Sequence, residues 1–219
     1  MKTSFVRNAA ALAFVAILGV ISVNAQSIVN TSFDDSLPTF TSSGFVTGNP
    51  VNWGSVTTVP YRIQSWDGVN ASATFKVAAE DGAAFVGIQN NTTNTAASGI
   101  FQTVTDLTIG ETYTVTFYVR ARNVASEGGT FLANLSGGTA ATIATGTASS
   151  TTWTSVSGQF VAASTSASFG ITYRSNSGDQ MLFVDNISIT TAIPEPSTYA
   201  LLTAVSAIAL CMVARRRRS

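Results

Sequence analysis

The stretch Glu111–Arg122, ETYTVTFYVRAR, decides the fold class of this chain. Its apolar side chains recur at every second position, at Tyr113, Val115, Phe117, Val119 and Ala121. Successive side chains of a strand point to opposite faces of its sheet, so this period of two predicts a half-buried β-strand. We therefore expect Tyr118 and Arg120 to share the face opposite the apolar one.

Short runs of the same kind occupy most of the remaining chain. They are Ala83–Gln89, Ile100–Leu107, Thr130–Leu135, Val156–Val161, Ala167–Arg174 and Met181–Thr190. Turn-rich segments such as LTIGET, SEGGT and RSNSGDQ separate them, and no amphipathic helix is evident. The Gly/Ala/Thr/Ser-rich run Ser136–Ser150 is read as a long loop or a weak edge strand. Many short strands joined by such turns predict an all-β protein, a β-sandwich.

The N-terminus carries the pattern of a secretory signal peptide. Lys2 and Arg7 form a positive region, and the apolar segment Ala9–Val23 follows. Val23-Asn24-Ala25 then provides a small-x-small cleavage site before Gln26. We expect residues 1–25 to be removed by signal peptidase during export.

The C-terminus, IPEPSTYALLTAVSAIALCMVARRRRS over 193–219, predicts a membrane segment. The uncharged run Tyr199–Ala214 would make about 24 Å of helix, close to the hydrocarbon core of about 30 Å. The prolines before it cannot lie inside a helix, and Arg215–Arg218 would stay cytoplasmic by the positive-inside rule. We expect one transmembrane helix over about 198–214.

This tail resembles the PEP-CTERM sorting signal of exported bacterial proteins. The matching parts are Pro194, Glu195 and Pro196, then the apolar helix, then the arginines at 215–218. The resemblance implies recognition by an exosortase in the inner membrane and a link to extracellular polysaccharide or biofilm matrix. It implies export through the inner membrane, membrane anchoring before sorting, and then a place at the cell surface or in the extracellular matrix.

The segment between these ends, 26–192, is long enough for one ordinary domain. It contains five basic and ten acidic residues, a net charge of −5, although the whole chain sums to zero. Nucleic-acid binding needs clustered lysine and arginine, so this charge argues against a nucleic-acid partner. The single cysteine, Cys211, lies in the tail, so the domain has no disulfide.

Three stretches of this domain resemble jelly-roll carbohydrate-binding modules of the family 4/9 type. SIVNTSFDD is similar to the opening of such modules, and GIFQTVTDLTIGETYTVTFYVRAR is similar to their central pair of strands. MLFVDNISIT is similar to their closing strand. The resemblance implies a jelly-roll-like β-sandwich that binds sugars. Together with the sorting signal, it implies a domain that binds or organises extracellular polysaccharide.

The same resemblance implies a structural calcium ion where the opening segment meets the last strand. The positions that match are Asp34, where the family more often has glutamate, and Asp185. Carboxylate oxygens suit a hard cation, which could tie the chain ends together in a domain without disulfides. The alternative is that Asp34 accepts a turn hydrogen bond and Asp185 accepts a backbone amide.

Catalysis is not expected. There is no histidine, which excludes serine or cysteine nucleophiles paired with histidine and histidine-ligated metals. A glycosidase needs two carboxylates on one side of a cleft, whereas the adjacent pairs Asp34–Asp35 and Glu80–Asp81 would point to opposite faces of a strand.

Sugar binding needs exposed aromatic rings together with amide or guanidinium donors. The candidates are Trp66, Gln89, Tyr118, Arg120 and Tyr173. Trp66, in QSWDGVN, is expected in an exposed loop, whereas Trp53 and Trp153 are expected in the core. Two alternatives to a sugar-binding module stay open: a structural or adhesion matrix protein without a discrete sugar site and, more remotely, a glycoside-active enzyme.

Overall fold

A computed structural model describes residues 28–36, 44–56, 63–67, 77–91, 97–122, 129–136, 141–147, 150–191 and the single residue 206. The signal peptide and the Pro-Glu-Pro motif lie outside these residues, as does the transmembrane helix apart from Ser206, which is helical. All three stay predictions. No helix in the described part of the chain is long and apolar enough to span a membrane.

The described residues form eleven strands after a short 3-10 helix, Asp34–Ser36. The strands are β1 Phe45–Thr47, β2 Gly54–Val56, β3 Ile63–Asp67, β4 Ala84–Asn91, β5 Ser98–Val104, β6 Thr112–Ala121, β7 Thr130–Ser136, β8 Ala141–Thr147, β9 Thr154–Val161, β10 Ala167–Arg174 and β11 Asp179–Thr191.

Two antiparallel sheets build the domain. One has six strands in the order β1-β3-β4-β11-β6-β9, and the other has five in the order β2-β5-β10-β7-β8. They pack face to face around one apolar core, which confirms the expected jelly-roll β-sandwich. We call the side of the six-stranded sheet that faces away from the other sheet its outer face.

Strand β6 alternates as its sequence predicts. Its odd-numbered side chains are buried between the sheets, and the even-numbered ones are only partly buried. Phe117 is fully buried, and its ring lies 6.1 Å from that of Phe131 and 6.4 Å from that of Phe169 on the opposing sheet. The prediction that Tyr118 and Arg120 share the opposite face is therefore confirmed, and this face is the outer one.

The other predicted runs also form strands, with ends that differ by a few residues. Within Ser136–Ser150, β8 is an edge strand of the five-stranded sheet, which confirms the edge-strand alternative. The sequence pattern did not predict β1, β2 and β3. The first two are only three residues long, and every residue of β3 is buried, so it has no alternation to detect.

The edges of the two sheets come together at β8 and β9. A Cβ atom placed on Gly158 of β9 would collide with the backbone carbonyl oxygen of Ile143 on β8. Glycine in a strand interior often marks such a close approach of another backbone. This side of the sandwich is thus closed by two strands that belong to different sheets.

We predict that Gly158→Ala destabilises the domain by about 1–3 kcal/mol, because the added methyl group must displace a backbone atom rather than a flexible side chain. Urea unfolding followed by tryptophan fluorescence measures the change. Ser157→Ala, at an exposed position of the same strand, is the matched control and should stay within about 0.5 kcal/mol of the wild type. Equal midpoints for the two variants would contradict the close approach.

Candidate functional site

Side chains on the outer face line up in rows across the six-stranded sheet. In one row Phe45 of β1 opposes Trp66 of β3, which opposes Phe85 of β4. In the next row Gly87 opposes Phe183 of β11, which opposes Arg120 of β6. Opposed side chains of an antiparallel pair are close enough to contact one another, so three aromatic rings adjoin along the first row, and the second row places Phe183 beside Arg120.

These aromatic residues form a second apolar cluster, separate from the core between the sheets. Its buried members are Trp66, Val77, Phe85, Met181 and Phe183, and Phe45, Ala79 and Trp153 pack against them. The Phe183 ring lies 4.8 Å from that of Phe85 and 5.2 Å from that of Trp66. A Cβ atom on Gly87 would stand 2.7 Å from Nε1 of Trp66, so the glycine makes room for the indole ring. The middle of this sheet is therefore buried on both faces.

Two of the five predicted sugar contacts are in the interior. The expectation that Trp66 lies exposed in a loop is wrong: it is on β3 and only 2% exposed, because the outer-face cluster covers it. Tyr173, on β10, is 0% exposed in the core between the sheets. Its backbone carbonyl accepts a hydrogen bond from Nδ2 of Asn90 at 2.9 Å. Neither ring is presented to solvent in this structure.

Trp153 departs from its expected place in the opposite direction. Trp53 is buried in the core as expected, but Trp153 lies half-buried on the outer face, just before β9. Its ring meets that of Phe85 edge-on at 5.7 Å, and its Nε1 donates to the carbonyl oxygen of Ala78 at 2.9 Å. The indole is thereby fixed in position with part of its surface accessible.

The structure brings Trp153 together with two predicted site residues. Cζ of Arg120 lies 5.8 Å from the centre of the Trp153 ring, within the range of a cation–π interaction. Tyr118 is two residues from Arg120 on the same face of β6, and it opposes Ser155 of β9. We call Trp153, Arg120 and Tyr118 the Trp153 cluster; each of its side chains is partly accessible.

Gln89, the amide side chain among the five predicted sugar contacts, lies on the same outer face but belongs to a different hydrogen-bonded group. Its Nε2 donates to Oδ1 of Asp179 at 2.7 Å. Arg122 joins the same carboxylate, with Nη1 lying 3.3 Å from Oδ2. Of the five predicted sugar contacts, the outer face therefore presents Tyr118, Arg120 and Gln89 at partly accessible positions.

Arg120 differs from Arg122 in its partners. Its Nε donates to the carbonyl oxygen of Ala121 at 3.2 Å, but it has no ion pair with any residue that the structure describes. Partial burial lowers the pKa of its guanidinium, because the charged form loses hydration. The Trp153 cluster thus contains a partly desolvated cation beside two aromatic rings.

Two carboxylates hold the segment 80–84, which leads into β4. Oδ1 of Asp34 accepts hydrogen bonds from the amides of Ala83 at 2.7 Å and Ala84 at 2.9 Å. Oδ2 of Asp185 accepts from the amides of Glu80 at 2.7 Å and Asp81 at 3.1 Å. The opening segment and the last strand are thereby fastened to one stretch of backbone.

These contacts match the alternative to calcium for both residues. The remaining oxygens also accept hydrogen bonds, Oδ2 of Asp34 from Oγ of Ser32 at 3.2 Å and Oδ1 of Asp185 from the Asn186 amide at 2.8 Å. Among the described residues, no group of three or more acidic, histidine or cysteine side chains could hold a metal ion. Calcium takes six to eight oxygen ligands, more than these two carboxylates provide, and a structural calcium stays a prediction.

Burial dominates the protonation of Asp185, whose side chain is completely inaccessible. Desolvation raises the pKa of this carboxyl to about 7, although the three amides that donate to it favour the charged form. The neighbouring Glu80 carboxylate also raises this pKa.

The fold and the outer face together define a jelly-roll β-sandwich with aromatic and guanidinium groups on one sheet. The chain belongs to the CBM_4_9 family of carbohydrate binding domains, whose sequence profile matches residues 25–177. No curated protein matches the chain in sequence.

Solved structures of low sequence identity share the fold. TmCBM61, solved in complex with β-1,4-galactotriose, is 12% identical, covers 77% of this chain over 100% of its own, and gives a TM-score of 0.54. The Stig cyclase Fisc from Fischerella sp. TAU is 16% identical, covers 80% of this chain over 100% of its own, and gives a TM-score of 0.58. Binding modules and enzymes thus both use this architecture, so the fold alone does not decide the activity.

We predict that Asp34→Ala lowers the free energy of unfolding by about 2 kcal/mol or more. The substitution leaves the amides of Ala83 and Ala84 without their acceptor, and each unsatisfied buried group costs about 1–3 kcal/mol. Asp35→Ala is the matched control, since Asp35 is exposed and should change stability by less than about 0.5 kcal/mol. Urea midpoints that fall equally in both variants would contradict this role of Asp34.

We predict that the Asp185 contribution to stability falls as the pH rises from about 4 to about 7. The pKa of this carboxyl is about 7 in the folded state and 3.8 as an ordinary group, so the folded state binds the proton more tightly across that window. Unfolding free energies measured from pH 4 to 8 for the wild type and Asp185→Asn give the comparison. Their difference should change across this window and level off above it, and a constant difference would contradict the raised pKa.

Proposed function

We propose that this protein is a non-enzymatic domain that binds or organises exopolysaccharide at the cell surface or in the extracellular matrix. The observation that carries the proposal is the Trp153 cluster, which presents two aromatic rings and a guanidinium on one sheet face of a carbohydrate-binding fold. The sequence contains no histidine, and the carboxylates of Asp34 and Asp185 accept hydrogen bonds from backbone amides. These features favour binding over catalysis.

The chemistry of the cluster suits a pyranose ring. The faces of Tyr118 and Trp153 can stack on the apolar face of a sugar, and stacking of this kind needs flat, rigid, partly exposed rings. Tyr118 is on β6, and Trp153 directly precedes β9, the strand that pairs with β6, so a sugar chain that crosses these strands could contact both rings. Arg120, whose Cζ lies 5.8 Å from the centre of the Trp153 ring, can donate hydrogen bonds to the ligand.

Export and sorting complete the proposal and rest on the sequence. The signal peptide 1–25 would direct the chain through the inner membrane, and the helix over about 198–214 would anchor it there. An exosortase would then act on the PEP-CTERM signal at 193–219. The domain would reach the surface or matrix in which exopolysaccharide is present.

A structural or adhesion protein is the second candidate, and exposed apolar side chains favour it. Ile109 and Val161 are 64% and 61% exposed, and the turn that carries Ile109 is hydrogen-bonded to the end of β9 through Gly110 and Ala162. Apolar side chains of this kind could pack against another copy of the protein. This candidate predicts self-association without a discrete sugar site.

We predict that Tyr118→Ala weakens binding to the host's exopolysaccharide at least tenfold, because the ligand loses a stacking surface. Trp153→Ala should weaken it similarly, with some loss of stability from the lost contact with Phe85. Affinity electrophoresis of the full-length protein in mild detergent, with and without polysaccharide in the gel, measures the effect. Calcium and chelator gels run in parallel test the predicted ion.

The matched control is Thr103→Ala, at an exposed position on the five-stranded sheet. It should leave binding unchanged. If Tyr118→Ala and Thr103→Ala are retarded as strongly as the wild type, the Trp153 cluster is not the sugar site. Concentration-dependent association without retardation by any polysaccharide would support the structural protein instead.

A further inference from the structure

We propose that the Trp153 cluster selects an acidic polysaccharide, with Arg120 pairing with the carboxylate of a uronic acid residue. This inference rests on the proposed function, because it names the class of glycan that the same face would bind. It depends on how Arg120 differs from its neighbour on β6, Arg122.

Arg120 and Arg122 lie on the same face of the six-stranded sheet, but only Arg122 has a carboxylate as its ion-pair partner among the described residues. Arg122 lies 3.3 Å from the Asp179 carboxylate, and its Nη2 also donates to the Asp179 backbone carbonyl at 2.8 Å. Arg120 is partly buried as well, but it forms no ion pair with any described residue. A partly desolvated charge without a counter-charge is unfavourable, so an anionic ligand would stabilise it.

The unused donors of the Arg120 guanidinium suit a carboxylate. Nε is used by the Ala121 carbonyl, and the Trp153 ring lies at 5.8 Å from Cζ. The two terminal nitrogens, Nη1 and Nη2, have no hydrogen bond to any described residue. A carboxylate accepts two parallel N–H bonds from such a fork, whereas a sugar hydroxyl would leave the charge uncompensated.

The acidic groups near Arg120 are already engaged. Asp185 of β11 opposes Tyr118 of β6, but its carboxylate oxygens already accept hydrogen bonds from three backbone amides. The Glu80 carboxylate accepts from Nδ2 of Asn186 at 2.6 Å, and Asp179 is paired with Arg122. Of the two arginines that the structure describes on this face, Arg120 is therefore the one that an external carboxylate can approach without displacing an internal one.

Three polyuronates serve as probes: polygalacturonate, polyglucuronate and alginate. Each is compared with its carboxyl-reduced counterpart, which has the same backbone linkages and no charge. Calorimetric titration of the full-length protein in mild detergent measures binding at low and at moderate salt. We expect the wild type to bind at least one native polymer about tenfold or more tightly than its reduced form, and added salt to narrow this preference.

Variants separate the charge from the stacking surface. Arg120→Gln should abolish the preference for the native polymer while keeping the affinity for the reduced one, and Arg120→Lys should keep part of the preference. Arg122→Gln is the matched control and should keep all of it, because Arg122 is neutralised internally. Urea midpoints of the three variants confirm that each is folded.

The outcomes distinguish a failure of the uronate assignment from a failure of the proposed glycan binding. Equal affinity of the wild type for native and reduced polymers, or a preference that survives Arg120→Gln, would overturn the uronate assignment and leave glycan binding intact. Absence of binding to every native and reduced polymer, and to the host's exopolysaccharide, would overturn the proposed function and this inference together.

Discussion

Hydrogen bonds from the amides of segment 80–84 to the carboxylates of Asp34 and Asp185 hold three distant parts of the chain together: the opening segment, the start of β4 and β11. The two acidic residues are 151 positions apart in the chain, yet they bind neighbouring amides. The domain has no disulfide, and these hydrogen bonds link its opening segment and its last strand through segment 80–84. Segment 80–84 lies two residues after Ala78, whose carbonyl accepts the hydrogen bond from Nε1 of Trp153, so we expect the position of the indole to depend on these two carboxylates.

The six-stranded sheet separates two apolar clusters, one on each of its faces. Antiparallel sheets commonly have one solvated face, but here β4 and the first half of β11 are buried on both sides. The second cluster ends at β6 and β9, where Tyr118, Arg120 and Trp153 become partly accessible. The accessible aromatic surface is therefore the margin of a packed cluster. Phe85 and the Ala78 carbonyl hold the Trp153 ring in place, so this ring loses less conformational entropy when a ligand binds.

The sequence predicted the features that arise from local alternation. The sequence of β6 alternates because one face of the strand is buried and the other is only partly buried. This alternation correctly predicted that Tyr118 and Arg120 lie on the partly accessible face. Trp66 and Trp153 were both misplaced, because their environments are set by other strands. Trp66 lies in a strand that is buried throughout, and Trp153 precedes its strand, so neither gives a local periodic signal. The contacts with Phe85 and Ala78 depend on pairings across the chain that no short window of residues contains.

The close approach of β8 and β9 at Gly158 also bears on how the domain behaves at high concentration. Strand edges with unpaired backbone groups are templates for aggregation, and proteins protect them by shortening or covering them. On one side of this sandwich the edge strands β1 and β2 have three residues each in the part of the chain that the structure describes, so each offers a neighbouring chain a short edge. On the other side β8 and β9 shield one another. A domain with such edges can be packed densely beside its own copies without forming cross-β fibres.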